Sequence, residues 1–217
     1  MAVGKPTVLV LLNGGALAVN WAQANVPAIV EAWYPGQAGN AIADVLFGDY
    51  NPAGRLPVTF YGSVNDLPAF DDYRMTGRTY RFFKGHPLYP FGYGLSYTAF
   101  AYANLRTSAE SAGANDTVVV SVDVTNSGTR SGDEVVQMYV EHAGSSVERP
   151  IRELRGYRRL TLAAGETRTV QMPLPISSLA YWDESGHRWV VEPDELRIRV
   201  GASSADLRLE RTIRVSQ

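Results

Sequence analysis

The chain has 217 residues, 45% of them hydrophobic, with a formal net charge of −2, enough length for one large or two small domains with cores of their own. Near-balanced charge leaves no electrostatic footprint for nucleic acid or an anionic membrane, and no apolar run approaches the roughly 20 residues that span a bilayer. With no cysteine there are no disulfides and no thiolate metal sites, which is compatible with any compartment.

Thr7 to Leu12 (TVLVLL) is continuous, apolar and rich in β-branched residues, the pattern of a strand covered on both faces in a parallel sheet. Asn13, Gly14 and Gly15 follow it where a leader peptide would carry a small-residue cleavage site, so this start reads as a strand. Their spacing also lacks the G-x-G-x-x-G of a dinucleotide cradle, which leaves a plain tight turn. Ala16 to Asn25 is predicted as a short helix and Pro27 to Trp33 as the next strand. Two parallel strands and their helices leave faces and edges uncovered. The chain therefore reads as beginning inside a larger α/β layer, with Met1 an imposed start.

Pro35 and Gly36 turn the chain into a helix, where Ala41, Ile42, Val45, Leu46 and Phe47 recur at helical spacing until Gly48 stops the run. Asn51, Pro52 and Gly54 make the next turn. Leu56, Val58 and Phe60 then restart a period of two, interrupted by Pro57 in the manner of an edge or crossing segment.

The stretch from Tyr61 to Phe100 holds Tyr73, Tyr80, Phe82, Phe83, Tyr89, Phe91, Tyr93, Tyr97 and Phe100, with Gly77, Gly85, Gly92 and Gly94 between them. Neither helix nor long strand fits that rhythm. Large aromatic areas joined by tight bends predict an arm packed between two domains, with a sugar-stacking platform as the functional alternative. Arg74, Arg78 and Arg81 are expected to pair with Asp71 and Asp72.

From Thr117 the period becomes two: Val118, Val120, Val122 and Val124 alternate with Val119, Ser121 and Asp123. Similar runs follow at Val135 to Val140, Leu154 to Leu162, Thr167 to Leu174, Leu196 to Val200 and Leu207 to Val215, each bounded by turn residues. Trp182 to Trp189 reads as a hairpin tip flanked by tryptophans. About seven strands in roughly 100 residues predict an immunoglobulin-like sandwich.

Three words, WYPGQAG, AIADVLFGDYNPAGRLPVTF and PLYPFGYGLSYTAF, resemble the C-terminal half of glycoside hydrolase family 3, the β-glucosidases and β-xylosidases. EVVQMYV, RPIRELRGYRRLTLAAGET and VGASS resemble the fibronectin type III-like domain that closes many of its members. The resemblance runs in order over nearly the whole chain and makes Thr7 to Leu12 a core strand. It implies an α/β plus all-β fold. Residues 1–68 would be the C-terminal part of an α/β sandwich domain, 69–100 a connecting arm, and 101–217 a fibronectin type III-like β-sandwich.

A retaining glycosidase needs two carboxyl groups about 5–5.5 Å apart. The resemblance implies a nucleophilic Asp in a barrel domain and an acid/base Glu upstream of the strand matching Thr7 to Leu12. Neither motif occurs here, so no catalytic residue is assigned and the substrate-binding residues stay unassigned. The local acidic pairs, Asp71/Asp72, Asp133/Glu134, Asp183/Glu184 and Asp194/Glu195, are neighbours that point to opposite faces of an extended chain.

His86, His142 and His187 lack metal-ligand spacing and read as loop or strand-surface residues; no metal or other cofactor is expected. There is no G-x-S-x-G elbow. Arg149, Arg152, Arg155, Arg158 and Arg159, interleaved with Glu148 and Glu153, read as a solvated strand with local ion pairs, and neither nucleic acid nor membrane is expected as a partner. Asn115, Asp116 and Thr117 form a glycosylation sequon.

The expectation is the C-terminal part of a retaining, exo-acting β-glycosidase that acts on β-linked oligosaccharides or glycosides. Its partners would be the barrel and the first part of the α/β domain, and the isolated chain would be inactive. Phe70 to Arg81 (FDDYRMTGRTYR) resembles the β-xylosidase-like branch. The alternative is a non-catalytic carbohydrate-binding or interaction module that uses the sandwich and the arm as a surface.

Overall fold

A computed structural model describes residues 4–216; Met1, and with it the reading of an imposed start, lies outside the described residues. Strands β1 (Val8–Leu11) and β2 (Ala28–Glu31) pair in parallel, with Leu11 opposite Glu31. Between them, helix α1 (Asn20–Asn25) starts four residues later than Ala16. No side chain caps its first turn, so nothing holds Ala16 to Val19 in the helix. Helix α2 (Gly39–Phe47) ends where predicted, at Gly48, whose φ of +84° is the left-handed stop that glycine accepts without a Cβ clash.

The buried α/β layer expected from TVLVLL differs in its burial. Val8 is 41% exposed and Leu12 61%, and α2 buries no residue. The two strands have only each other as ladder partners among the described residues, so each keeps one unpaired edge.

Leu56 to Phe60 crosses the molecule and does not form a regular strand. The Leu56 N–H donates to the Tyr93 carbonyl at 2.8 Å, and Phe60 and Tyr89 exchange two bonds at 2.9 and 3.2 Å. Pro57 and the residues after it interrupt the ladder between these points, because proline has no N–H to give. The arm that follows is irregular apart from a short helix α3 (Thr79–Phe82) and a 3₁₀ turn at Val64–Asp66.

The sandwich begins before Thr117. Strands β3 (Phe100–Thr107) and β4 (Ser111–Ala112) precede β5 (Thr117–Asn126), β6 (Gly132–His142), β7 (Glu153–Leu162) and β8 (Thr167–Pro175). A short hairpin of β9 (Tyr181–Asp183) and β10 (Arg188–Val190) leads to β11 (Asp194–Gly201) and β12 (Leu207–Val215). The two packed sheets have the orders β4-β12-β11-β6-β7 and β3-β5-β8.

β3 escaped the sequence reading because it is bulged. Asn104 sits at φ +54°, the register shifts between Ala103 and Arg106, and the inward positions change from Phe100 and Tyr102 to Leu105. One extra residue breaks the period of two.

The core lies between the sheets. Val118, Val120, Val122 and Val124 of β5 are each at most 1% exposed, as are Val136, Met138 and Val140 of β6 and Leu196, Ile198 and Val200 of β11. Each such side chain is worth about 1.5–3 kcal/mol of burial. β6 is buried on both faces, because the aromatic arm covers its outer one. Tyr80 stacks on Phe91 at 4.2 Å and meets the ring of buried Tyr139 edge-on at 5.9 Å.

Candidate functional site

The stretch Asn51–Phe60 reaches the sandwich through polar side chains. Asn51 Oδ1 accepts from Ser96 Oγ at 3.0 Å and from the Tyr97 N–H at 2.8 Å, while its Nδ2 donates to the Ser131 carbonyl at 3.0 Å. Arg55 donates to Glu134 Oε2 at 2.8 Å, and the Tyr102 hydroxyl donates to Glu134 Oε1 at 2.6 Å. Gln137 on the outer face of β6 donates to the carbonyls of Gly92 at 3.0 Å and Ala202 at 2.6 Å. Gly92 is at φ +80°, and a Cβ there would stand 2.1 Å from the Gln137 amide oxygen, so only glycine fits.

Glu134 has one hallmark of a general acid: burial pushes its carboxyl above the usual range, against the opposing pull of Tyr102 and Arg55. It lacks the other hallmark, access. Its side chain is 3% exposed, that of Arg55 is 9% exposed, and both carboxylate oxygens are engaged. Closed on all sides, the group locks two regions together. Its signal in the sequence was an acid on the inward register of β6, in phase with Val136, Met138 and Val140; the partner arginine stands 79 residues away.

The other acids of the predicted pairs are similarly committed, apart from three. Asp72 pairs with Arg74 at 2.8 Å, which draws its carboxyl down to about 2. Asp133 bonds Arg159, Asp183 accepts from Ser185 inside its own turn, and Asp194 faces His142. Asp71, Glu184 and Glu195 are exposed. The structure joins none of these pairs into facing carboxylates.

Two of the predicted arginine pairings are corrected. Arg74 pairs with Asp72 as expected, but Arg78 spends its guanidinium on the carbonyls of Ala69, Asp72 and Arg74, and Arg81 forms an ion pair with Glu153 of β7. The arm folds back against the sandwich, which brings Arg81 to β7 and away from the Asp71/Asp72 loop. In the basic cluster, Arg149, Arg155 and Arg159 are paired with Glu192, Glu153 and Asp133 respectively.

His142 is also corrected. It ends β6 with its side chain 4% exposed, and its Nδ1 lies 2.7 Å from Asp194 Oδ2. Burial lowers its pKa below the ordinary value, more than Asp194 raises it, so the ring is neutral with Nδ1–H donating. His142, Glu192 and Asp194 offer ligand atoms within 4.8 Å of one another.

The carboxylate oxygens of this group are already taken, and His142 Nε2 is buried without a partner. Asp194 Oδ1 accepts the N–H groups of Gly144 and Glu195, both at 2.7 Å, and Glu192 accepts from Ser145, Ser146 and Arg149. A guanidinium inside the cluster and saturated oxygens make it a latch for the loop between β6 and β7; the donor set does not suit a cation. Burial pulls the Glu192 carboxyl up, but these donors outweigh it and hold it at about 2.

At the C-terminal ends of β1 and β2, where open α/β sheets receive ligands or neighbouring elements, three irregular features meet. Trp33 is left-handed at φ +54°, its N–H donates to Glu31 Oε1 at 2.9 Å, and Glu31 Oε2 and Asn13 Oδ1 are buried without a partner. The Trp33 ring packs edge-on against Phe60, which packs on Tyr89. Most arm aromatics are likewise spent on one another, while Phe70 and Tyr73 are 99% and 91% exposed.

A family model of the glycosyl hydrolase family 3 C-terminal domain matches residues 1–97, and one of a fibronectin type III-like domain matches residues 134–204. The chain is 42% identical to a periplasmic β-glucosidase of Salmonella typhimurium, over 94% of this chain and 28% of that protein. It is 43% identical to a xylan 1,4-β-xylosidase of Xylanibacter ruminicola, over 97% and 24%. Among solved structures, a β-glucosidase from Erythrobacter marinus superposes with a TM-score of 0.87 at 43% identity, covering 99% of this chain and 29% of that one. β-glucosidase 3B from Thermotoga neapolitana, in complex with α-D-glucose, superposes at 0.89 with 34% identity, covering 99% and 32%. The chain thus spans 24% to 30% of the length of the curated relatives it matches.

Proposed function

The chain belongs to glycoside hydrolase family 3, as its C-terminal part, and from that premise we propose that it serves a retaining, exo-acting β-glycosidase whose two catalytic carboxylates both lie outside these 217 residues. Its role is architectural. It supplies the last wall of the α/β domain and braces that domain and the barrel against the sandwich.

The observation that carries this reading is the fate of the acids. Among the described residues, the one buried carboxyl that burial pushes above its usual range is sealed into the Arg55–Glu134–Tyr102 junction, and the local acidic pairs do not face one another. The exposed apolar side chains of the first region (Trp21, Tyr34 and Phe47, at 69%, 80% and 84%) are the surface this role requires. So are the unpartnered Glu31 and Asn13 atoms at the strand ends. The partners are the barrel and the first part of the α/β domain, and the substrate is a β-linked oligosaccharide or glycoside. The word FDDYRMTGRTYR in the arm favours xylose over glucose.

The test is hydrolysis of nitrophenyl β-xyloside and β-glucoside by the purified chain, beside the same chain joined to an upstream barrel and Glu-bearing segment. Turnover by the joined form alone, faster on the xyloside, is the expected result. Turnover by the 217-residue chain alone would overturn the reading.

A further inference from the structure

The loop between β6 and β7, residues 143–152, lies outside the ladders; Val140 and Glu153 are the last residues to pair across the two strands. Its backbone bonds to other elements run from the Ala143 N–H to the Glu195 carbonyl at 2.9 Å and from the Ile151 N–H to the Arg81 carbonyl at 2.7 Å. Side chains supply the other ties. Asp194 Oδ1 accepts the Gly144 N–H at 2.7 Å, Glu192 Oε2 accepts the Ser146 N–H at 3.1 Å, and Arg149 reaches the Leu179 carbonyl and the Tyr181 ring. None of these bonds belongs to a sheet, so the loop can open while the strands stay paired.

His142 stands at the root of the loop. Its Nδ1–H donates to Asp194 Oδ2 at 2.7 Å and its Nε2 is buried without a partner. The charged groups around the ring are Asp194 of β11, Glu192 from the segment before it and Arg149 from the loop itself. Glu141, the neighbour on β6, pairs with Arg197 and Arg199 on the other face. A proton enters the neutral ring at Nε2, where it makes a buried N–H with no acceptor on a cation beside the Arg149 guanidinium. Two carboxylates pull the other way. Burial prevails and keeps the ring's pKa below the ordinary 6.5, so the open loop takes the proton more readily than the closed one. Acid therefore favours opening.

We propose that the β6–β7 loop is an acid-released latch: protonation of His142 at Nε2 frees residues 143–152 from β11 and from the arm while the two sheets stay folded. The effect reaches the arm, because Ile151 bonds Arg81 and Glu148 walls a cleft with Arg74, Met75, Thr76 and Phe82. The bracing role gives this release its meaning, a looser hold of the sandwich on the arm in acid. The latch itself stands on contacts within this chain.

The test is hydrogen exchange of the 217-residue chain, followed by NMR from about pH 8 to about pH 5 and expressed as protection factors, which removes the pH dependence of the chemical step. The amides of Gly144, Ser146 and Ile151 should lose protection together as pH falls below 6.5, by up to about tenfold per pH unit for one proton. Those of Val140 and Ile198 should hold theirs. His142→Asn keeps a donor for Asp194 and has nothing to titrate, so its loop should keep a protection that does not vary with pH. Should that variant fail to fold, the wild type carries the test: the loss at Gly144 should level off at the midpoint of the His142 ring signal.

Protection of the loop that ignores pH, an equal loss at Val140 and Ile198, an unaltered loss in His142→Asn, or a loss that runs on past the ring's midpoint would each overturn the proposal. Nitrophenyl glycoside hydrolysis enters none of these readings. A failed glycosidase reading therefore leaves the latch standing, and a failed latch leaves the glycosidase reading standing.

Discussion

Residues 100–216 gather twenty buried hydrophobic side chains into one cluster, whereas among residues 4–97 the buried hydrophobics are Ala22, Ala53 and Phe60. Both regions carry periodic patterns in sequence, and in both the clearest of these, such as Ala41 to Phe47 and Val118 to Val124, fold as a helix and a strand. The difference lies in where the apolar face goes. In the sandwich, the inward residues gather in one buried cluster of the same region; in the α/β region, the apolar stripe of α2 is only half covered, with Ile42 and Val45 partly buried and Leu46 and Phe47 exposed. Secondary structure is thus written locally, while stability depends on whether the covering surface lies within reach.

A third zone joins the two regions, and the sharpest test of the comparison acts there. Arg55→Met leaves Glu134 buried beside Tyr102 without its cation, which should cost about 3–5 kcal/mol in a denaturant titration. Adding Glu134→Gln should recover much of that loss. If the single variant costs no more than a surface substitution, the two regions are held together by something other than this pair.

The contrast itself is measured by two matched truncations. Ile198→Ala in the sandwich core should cost about 2–5 kcal/mol, and Leu46→Ala on exposed α2 should stay within about 0.5 kcal/mol. Similar values at both sites would erase the distinction between a cored and an uncovered region. A smaller effect is expected at the arm. Gln137→Leu removes the donor to Gly92 and Ala202 and should cost about 1–3 kcal/mol through the carbonyls left unpaired, with increased proteolytic nicking near Gly92 as a second readout.

The smallest effect is a pH slope. The folded pKa of His142 is below its ordinary 6.5, so its contribution to stability is present above pH 6.5 and fades as pH falls through the lower folded value. His142→Asn, which keeps a donor for Asp194, should flatten the stability profile just below pH 6.5. Glu192, held at about 2 against an ordinary 4.5, contributes above pH 4.5 and loses that contribution toward pH 2, and Glu192→Gln should remove that lower step. A profile unchanged in both variants would show that the latch does not titrate with folding.

Much of the fold was legible because it is periodic. β12 runs Leu207–Val215 as read, the tryptophan hairpin pairs as read, and Gly48 ends α2. β3 was illegible because the bulge at Asn104 breaks its alternation. In the arm, nothing in the spacing said that Tyr80 would cover Tyr139 or that Arg81 would leave Asp71 and Asp72 for Glu153. His142 looked like a surface histidine because the residues that bury it, Asp194 and Glu192, lie some fifty positions on.

By itself the sequence determined the regularly alternating strands, α2, the β-sandwich and the family, since each depends on neighbours within a few residues or on contiguous words. The tertiary structure alone decided which polar groups are locked, which acid is sealed and which tryptophans stay open. Those properties depend on partners 45 to 79 residues apart, as with Gln137 and Gly92 or Arg55 and Glu134, and burial is a property of the assembled surface, which no local stretch of chain carries.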